Sequence, residues 1–362
     1  MWASYPGDYR GAEIRRILGA VRAGECIEIV GLSGSGKSNL LGFLANRVEV
    51  SEGRPRFVLV DCNRLEAIQP SALFQQIDEA LQQAGMAKPA ESAHSLSELQ
   101  SVIESALDGC DGLCLLFDRF ELILQAEGVF FGNLRALRDA FKYRLTYGIA
   151  TRHPLAADNE LAELFFGKRL WLGALSAADG LWSLQRYGER LGRRWSGAEE
   201  KVLLELSGGY PALLRAACEA YADGAPLEAE ALRRHPAVRR RVDELLSDLP
   251  GQEDLERSGL SGNQLLGPPS IWESSSRGID TSRLTAKENL LLEYLQAHAG
   301  QVCDKDHLIQ AVWPEDHIFE VGVRDESLAQ LVRRLRKKIE LDPDHPQLIQ
   351  TISNRGYLFQ PG

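Results

Sequence analysis

The chain has 362 residues, 44% apolar and 25% charged, the composition of a soluble globular protein too long for one ordinary core, so two or three domains are expected. No run of about 18 apolar residues occurs, and the start MWASYPGDYRGAE lacks a basic region followed by an apolar one, so no membrane span or secretory signal is expected and the location is cytoplasmic. Six scattered cysteines without a Cys-x-x-Cys pair argue against zinc and disulfides, and a formal charge of -10 argues against indiscriminate coating of nucleic acid, though not against a local basic face.

In chain order, residues 12–21 carry an amphipathic helical pattern, and CIEIV (26–30) reads as a strand that runs directly into the glycine-rich GLSGSGKS. RFVLVDC (56–62) is a second strand, followed by helical patterns at 71–84 and 95–107. LCLLF (113–117) is a third strand, 130–142 a helix, and RLTYGIAT (144–151) a fourth strand. This alternation predicts an α/β fold with a parallel sheet covered on both faces, spanning 1–167. One more apolar stretch, KRLWLGAL, then gives way to helices alone at 177–191, 197–207 and 211–221, a helical lid subdomain over 168–225. Residues 226–283 read as a partly helical connection, rich in Gly, Ser and Pro toward its end. Its basic patch at Arg233, Arg234, Arg239, Arg240 and Arg241 has a solvated helix face as its commonest cause. A compact C-terminal unit is expected over 284–362.

Residues 31–38 match G-x-x-x-x-G-K-[ST] between a strand and a helix. Gly31, Gly34 and Gly36 let the backbone curl so that its amides face phosphate oxygens, and the helix start adds its dipole. Ser33, Ser35 and Asn39 complete the nucleotide-binding candidates, Lys37 would reach the outer phosphates, and Ser38 would help hold Mg²⁺. Asp118 ends the third strand, where a carboxylate can orient Mg²⁺ and where turn-forming aspartates also sit. Thr151 and Arg152 follow the fourth strand, in place either to sense the outer phosphate or to form an ordinary strand end at the surface. Hydrolysis needs a carboxylate to orient water, which Arg119 cannot supply. Glu121 is the nearest candidate base, or else begins a solvent-facing turn, so at most a slow ATPase is expected.

DYRGAEIRRIL, GLSGSGKS, LLFDRFE, GIATRHPL and LSGGYPALLRAACEAY together resemble the signal-transduction ATPases with numerous domains, the STAND relatives of AAA+ ATPases, over roughly residues 8–225. The resemblance implies ATP or ADP binding with Mg²⁺, a Gly-x-Pro segment near the base and ribose at Gly209, Tyr210 and Pro211, and a switch between nucleotide states.

Over 284–362 there are nine Lys and Arg against twelve Asp and Glu, a net charge of -3, so bulk charge does not announce DNA binding. The distribution says more. In LVRRLRKKIE and the residues before it, Leu328, Val332, Leu335 and Ile339 fall on one apolar stripe, with Gln330, Arg333 and Lys337 opposite and Arg334 at their flank. Such a helix suits the DNA major groove and also resembles any solvated surface helix. The LT-x-x-E start, the Trp-Pro after the helix at 305, the cationic helix and the terminal Gly-Tyr hairpin resemble the OmpR/PhoB-type winged-helix DNA-binding domain. That resemblance implies a loop at 314–323, a wing tip at 354–356 and Arg355 in the minor groove of double-stranded DNA. Glu326 and Ala329 depart from the family, which carries arginine and aspartate there, and its first β-sheet is not evident in LLGPPSIWESSSRGID.

The expected function is a nucleotide-dependent transcriptional regulator, with self-association in one nucleotide state and a protein or small-molecule signal. The alternatives are an ATPase that loads or remodels a DNA-bound partner, and a defence-type sensor whose winged helix contacts protein.

Overall fold

A computed structural model of the chain describes residues 2–47, 55–88, 92–124, 126, 128–248, 252–267, 284–313, 321–340, 346, 348–352 and 355–360. It divides into two compact units, Met1–Gly267 and Pro268–Gly362, each taken by itself.

In the first unit α1 (Gly11–Arg22) leads into β1 (Ile27–Val30), and α2 (Lys37–Arg47) leaves the glycine-rich loop. Then come β2 (Arg56–Asp61), α3 (Pro70–Gln83), α4 (Leu96–Leu107), β3 (Leu113–Asp118), α5 (Gly128–Phe141), β4 (Leu145–Thr151) and β5 (Arg169–Trp171). The five strands form one sheet in the order β2-β3-β4-β1-β5, and every pairing is parallel. Parallel strands bury both faces, which explains their near-continuous apolar runs. Along β3, Leu113, Leu115 and Phe117 join the core that includes Leu99, Ile103 and Leu134. Cys114 and Leu116 point the other way, into the core of Ile17, Leu40 and Leu44. One polar residue interrupts β1: Glu28, fully buried, accepts from Arg169 Nε at 2.6 Å and from Leu155 N–H at 2.6 Å. Because all strands run one way, the glycine-rich loop, Asp118 and Arg152 emerge at the same carboxyl edge, where open parallel sheets place their ligands.

Helices α6 (Ala177–Arg190), α7 (Gly197–Ser207) and α8 (Pro211–Ala222) follow, as the sequence predicts. Ser176 and Ser196 cap α6 and α7, each accepting from the backbone three residues on. The stretch expected to be a connection is divided between the two units. Helices α9 (Ala229–Arg234), α10 (Pro236–Ser247) and α11 (Gln252–Arg257), with the turns to Gly267, belong to the first unit. The cause is apolar: Leu232, Val238, Leu245, Leu255, Leu260 and Leu265 are all buried, spaced widely enough among arginines and turn residues to escape notice in the sequence. Asn263 adds a polar tie, donating to Ser207 O at 2.7 Å. Three arginines of the basic patch of α9 and α10 are paired within their own helices, Arg234 with Glu230 and both Arg240 and Arg241 with Glu244. Residues 268–283, and with them most of the stretch searched for a further β-sheet, lie outside the described residues.

The second unit contains α12 (Ala286–Ala297), β6 (Val302–Asp304), α13 (Lys305–Val312), α14 (Val321–Ile339), β7 (Ile349–Ile352) and β8 (Gly356–Phe359). Its three strands are antiparallel in the order β6-β8-β7. Leu291, Leu295, Leu308, Leu328, Leu335 and Phe359 share one core. Thr285 and Glu288 form a reciprocal capping box at the start of α12. Glu288 is also 1% exposed and accepts from Lys338 Nζ at 2.6 Å, tying α12 to α14.

Burial pushes the Glu288 carboxyl up, but Lys338 and the Thr285 amide and hydroxyl outweigh it, leaving the pKa below its ordinary 4.5. A lowered folded-state pKa contributes stability that is complete above the unfolded value and lost as pH falls through the folded one. Glu288→Ala is therefore expected to reduce amide-exchange protection of α12 by about 2 kcal/mol at neutral pH. In wild type the same loss should set in only as pH drops below 4.5, and the difference between the two proteins should shrink there.

Candidate nucleotide site and nucleic-acid face

The glycine-rich loop is shaped by its glycines and by what presses on them. Gly34 and Gly36 hold φ of 75° and 93°, a region that side-chain-bearing residues enter only at a cost. A Cβ on Gly34 would stand 2.2 Å from Ala212 Cβ, and one on Gly31 would stand 2.7 Å from Leu172 O. Gly31 N–H donates to Thr151 O at 3.1 Å, anchoring the loop to the end of β4. Since α2 starts at Lys37, its first amides lack intrahelical acceptors, which is what makes a helix start an anion site. Ser38 and Asn39 are exposed there, whereas Ser35 is buried beneath the loop.

Lys37 Nζ donates to Gly31 O, and to Leu32 O at 3.3 Å. Burial lowers its pKa; Glu121, Asp248 and Asp118 oppose that shift, and Arg152 adds to it. The ammonium is thus poorly hydrated, and the neighbouring carboxylates that favour its charged form would repel an incoming polyphosphate, so a phosphate must compete with them for Lys37.

Asp118 is 8% exposed at the end of β3, and its Oδ1 accepts from Arg119 N–H at 3.0 Å. Arg119 itself has φ of 54° and extends to Asn63 Oδ1 at 3.3 Å. Glu121 lies in a 3₁₀ turn, Phe120–Ile123. Its Oε1 pairs with Arg152 Nε at 3.3 Å, while its Oε2 is buried without a hydrogen-bond partner. The structure therefore brings Glu121 and Arg152 together, and Arg152 also reaches Asp248 Oδ1 at 3.2 Å. The sequence offered no sign of Asp248, which is 5% exposed and accepts from Ser33 N–H at 2.7 Å through Oδ2.

The lid meets the loop through the Gly209-Tyr210-Pro211 segment. Tyr210 OH, fully buried, donates toward Ser33 O at 3.0 Å and Leu32 O at 3.3 Å, and Ala212 N–H donates to Gly34 O at 3.2 Å. Pro211 is buried between two cavities. One, of about 280 Å³, is lined by the loop, Asp118, Glu121 and Arg152. The other, of about 570 Å³, is lined by Tyr5, Tyr9, Trp182 and Tyr187, and the two share Asn39, Tyr187, Pro211 and Arg215. An aromatic chamber joined to a cationic, amide-lined one has the two chemistries a nucleotide needs.

Arg10, within DYRGAEIRRIL, is a further functional residue that the sequence does not single out. It is 1% exposed with φ of 48°. Its guanidinium donates to Ser35 O at 2.8 Å, Gly173 O at 2.9 Å and Ala174 O at 3.3 Å, and pairs with Glu13 at 2.9 Å. Arg10 thereby holds the loop from behind. It had no signal beyond its place in that motif, because a buried arginine looks like any other in a polar segment.

These residues fit a magnesium nucleotide. The loop is a cradle that a Cβ would fill, Lys37 lies partly buried in its cavity, and Glu121 Oε2 is an unanswered acceptor in the same cavity. Ser38 and Asp118 are oxygen donors of the kind Mg²⁺ takes, one or two side chains being usual when phosphates supply the rest.

In the second unit the described cations of α14 separate into two groups. Arg336 donates to Ile349 O at 2.6 Å and Thr351 Oγ1 at 2.9 Å, and Lys338 to Glu288, so both brace the fold. Gln330, Arg333, Arg334 and Lys337 are exposed, while Leu328, Val332 and Leu335 are buried and Ile339 partly so. Ala329 is exposed on the same helix. The Glu326 side chain, Asn354 and residues 314–320 of the expected loop lie outside the described residues. Arg355 is exposed at the turn between β7 and β8, its N–H donating to Ile352 O at 3.0 Å.

This division predicts different phenotypes. Replacing Arg333 and Arg334 with Ala should lower the slope of log affinity against log salt on double-stranded DNA by about 2, with unfolding unchanged. Arg336→Ala should instead destabilise the unit, measured by amide exchange in β7.

Residues 21–165 match the model of an AAA domain, and residues 280–359 match that of the transcriptional regulatory protein C-terminal domain. Among solved structures the chain is similar to the Walker-type ATPase PABY2304 of Pyrococcus abyssi, at 15% identity over 97% of this chain and 93% of that one, with a TM-score of 0.49. It is also similar to the Aeropyrum pernix ORC1 protein in complex with DNA, at 13% identity over 98% and 89%, TM-score 0.43. The Thermotoga maritima RuvB Holliday junction branch migration motor matches at 12% identity over 97% and 91%, TM-score 0.36. The chain thus joins a P-loop ATPase domain of AAA type to a C-terminal DNA-binding domain of the OmpR/PhoB type of transcriptional regulators.

Proposed function

We propose that the protein is a nucleotide-dependent regulatory switch of STAND type, acting in the cytoplasm on transcription. It binds ATP or ADP with Mg²⁺ in the first unit and couples the nucleotide state to double-stranded DNA binding by the second. The single observation that carries this proposal is the ion-pair chain Glu121–Arg152–Asp248 alongside Lys37. Arg152 reaches from the end of β4 to an element that follows the lid helices, so whatever engages Arg152 acts on both.

In this proposal the amides of Ser33 to Asn39 and the Lys37 ammonium hold the phosphates. Ser38 and Asp118 hold Mg²⁺, which would offset phosphate charge. Pro211 and the aromatic cavity take the base, with the Tyr9 hydroxyl kept protonated because burial pushes its pKa to about 12. Arg152 senses the outer phosphate. Glu121 is the candidate base, and its ion pair with Arg152 favours slow turnover, because that pair must open before the carboxylate can orient water. Gln330, Arg333, Arg334 and Lys337 face the major groove and Arg355 the minor groove.

A ligand shifts only an equilibrium between states that it binds differently. DNA affinity should therefore differ by about five-fold or more between ATP, ADP and no nucleotide, a coupling of ordinary size. Lys37→Ala should abolish that difference while leaving nucleotide-free DNA binding intact. Equal DNA affinities in all three conditions would rule out the coupling. An ATPase that remodels a DNA-bound partner would instead show strong DNA-stimulated hydrolysis. Glu121→Gln should reduce any steady-state hydrolysis by about 10²-fold, and an unchanged rate would place the base elsewhere.

A further inference from the structure

Asp248 follows directly on α10, and it is assigned no contact with the nucleotide, the metal or the attacking water. It is 5% exposed, yet its two oxygens are both engaged: Oδ2 by Ser33 N–H at 2.7 Å and Oδ1 by Arg152 Nη1 at 3.2 Å. Ser33 belongs to the phosphate loop, 215 positions away in the chain. A loop amide and an arginine are donors of the kind that grip a phosphate oxygen. Here both are taken by a carboxylate from a different part of the unit.

The position of this contact along the site gives it meaning. The aromatic cavity meets the phosphate cavity at Asn39 and Pro211. A phosphate chain that starts in the first and runs past Lys37 must end on the side of Asp118, Glu121 and Arg152. Asp248 is bonded on that side, and its charge reaches the Lys37 ammonium. An outer phosphate arriving there would meet Arg152 already shared by two carboxylates and the Ser33 amide already occupied. It would also bring negative charge close to the Asp248 carboxylate in a poorly hydrated setting, where like charges repel strongly.

We infer that Asp248 is a specificity-determining residue that sets this site for a nucleoside diphosphate over a triphosphate. Its carboxylate occupies the donors that an outer phosphate would use, and a triphosphate seats fully only when Asp248 and the end of α10 withdraw. The preference for one nucleotide and the movement of α10 are then the same event. The inference rests on the proposed nucleotide site, and its test separates the two.

The full-length protein, with Mg²⁺, is titrated with ADP and with a non-hydrolysable ATP analogue, as wild type, Asp248→Asn and Asp248→Ala. Removing the charge should raise affinity for the analogue about ten-fold or more while ADP affinity changes less than about three-fold, the scale of one charge-assisted contact. An unchanged ratio of the two affinities, with both nucleotides still bound, overturns the role of Asp248 and leaves the nucleotide site standing. Binding of neither nucleotide to wild type overturns both. A measurement on wild type alone guards against a variant that folds poorly. The analogue should quicken amide exchange across 236–247 and ADP should not, and equal exchange with the two ligands counts against the inference.

Discussion

The geometry of the nucleotide half depends on one buried charge. Arg10 holds its guanidinium at 1% exposure, and such a group is tolerable inside a protein only when its donors are answered. Its two terminal nitrogens are answered by Ser35 in the glycine-rich loop, Gly173 and Ala174 after β5, and Glu13 in α1, while Nε is left without a partner. Its backbone N–H adds Asp179 at 3.2 Å, at the start of the lid. Two distant parts of the chain, the loop and the segment after β5, are thereby fixed to one side chain, and the lid start to the same residue's backbone. The loop cannot shift relative to the lid without leaving a buried cation and several carbonyls unmet.

From that anchor the rest of the site follows in two layers. Behind the loop, Arg10 and Tyr210 hold the carbonyl groups of Ser35, Leu32 and Ser33, while Thr151 and Asp248 take the amides of Gly31 and Ser33. In front of it, two cations, Lys37 and Arg152, are set among three carboxylates, Asp118, Glu121 and Asp248. A set of this kind is sensitive to a single added phosphate, because every member has a competing partner close by. The second unit uses its charges more conservatively. Arg336 and Lys338 brace the sheet and α12, so the outward cations of α14 sit on a helix whose rotation is already fixed.

Much of this was legible in the sequence, and for identifiable reasons. The strands at β1 to β4 and the helices from α6 to α8 announce themselves because buried parallel strands are runs of apolar residues and amphipathic helices repeat at a fixed period. The glycine-rich loop is readable because its backbone demands glycines at set positions, as the φ values of Gly34 and Gly36 show. The apolar stripe of α14 was found by the same periodic logic, with Leu331 the additional buried member. What escaped were contacts between positions with no local pattern. Arg10, Asp248 and Glu28 are single charged residues whose partners are supplied by distant segments. The extent of the first unit was missed for a related reason, since Leu255, Leu260 and Leu265 are too few and too irregularly spaced to advertise a core.

By itself, then, the sequence determined the elements, the α/β order, the phosphate loop and a helix with a cationic outer face, all features written in local spacing. The tertiary structure alone decided that Glu121 meets Arg152, that Asp248 closes on Ser33, and which arginines of α14 are structural. Those outcomes depend on which buried charge finds which partner. Desolvation makes an unmatched charge so unfavourable that the fold selects the pairing, while the one-dimensional pattern carries no record of it.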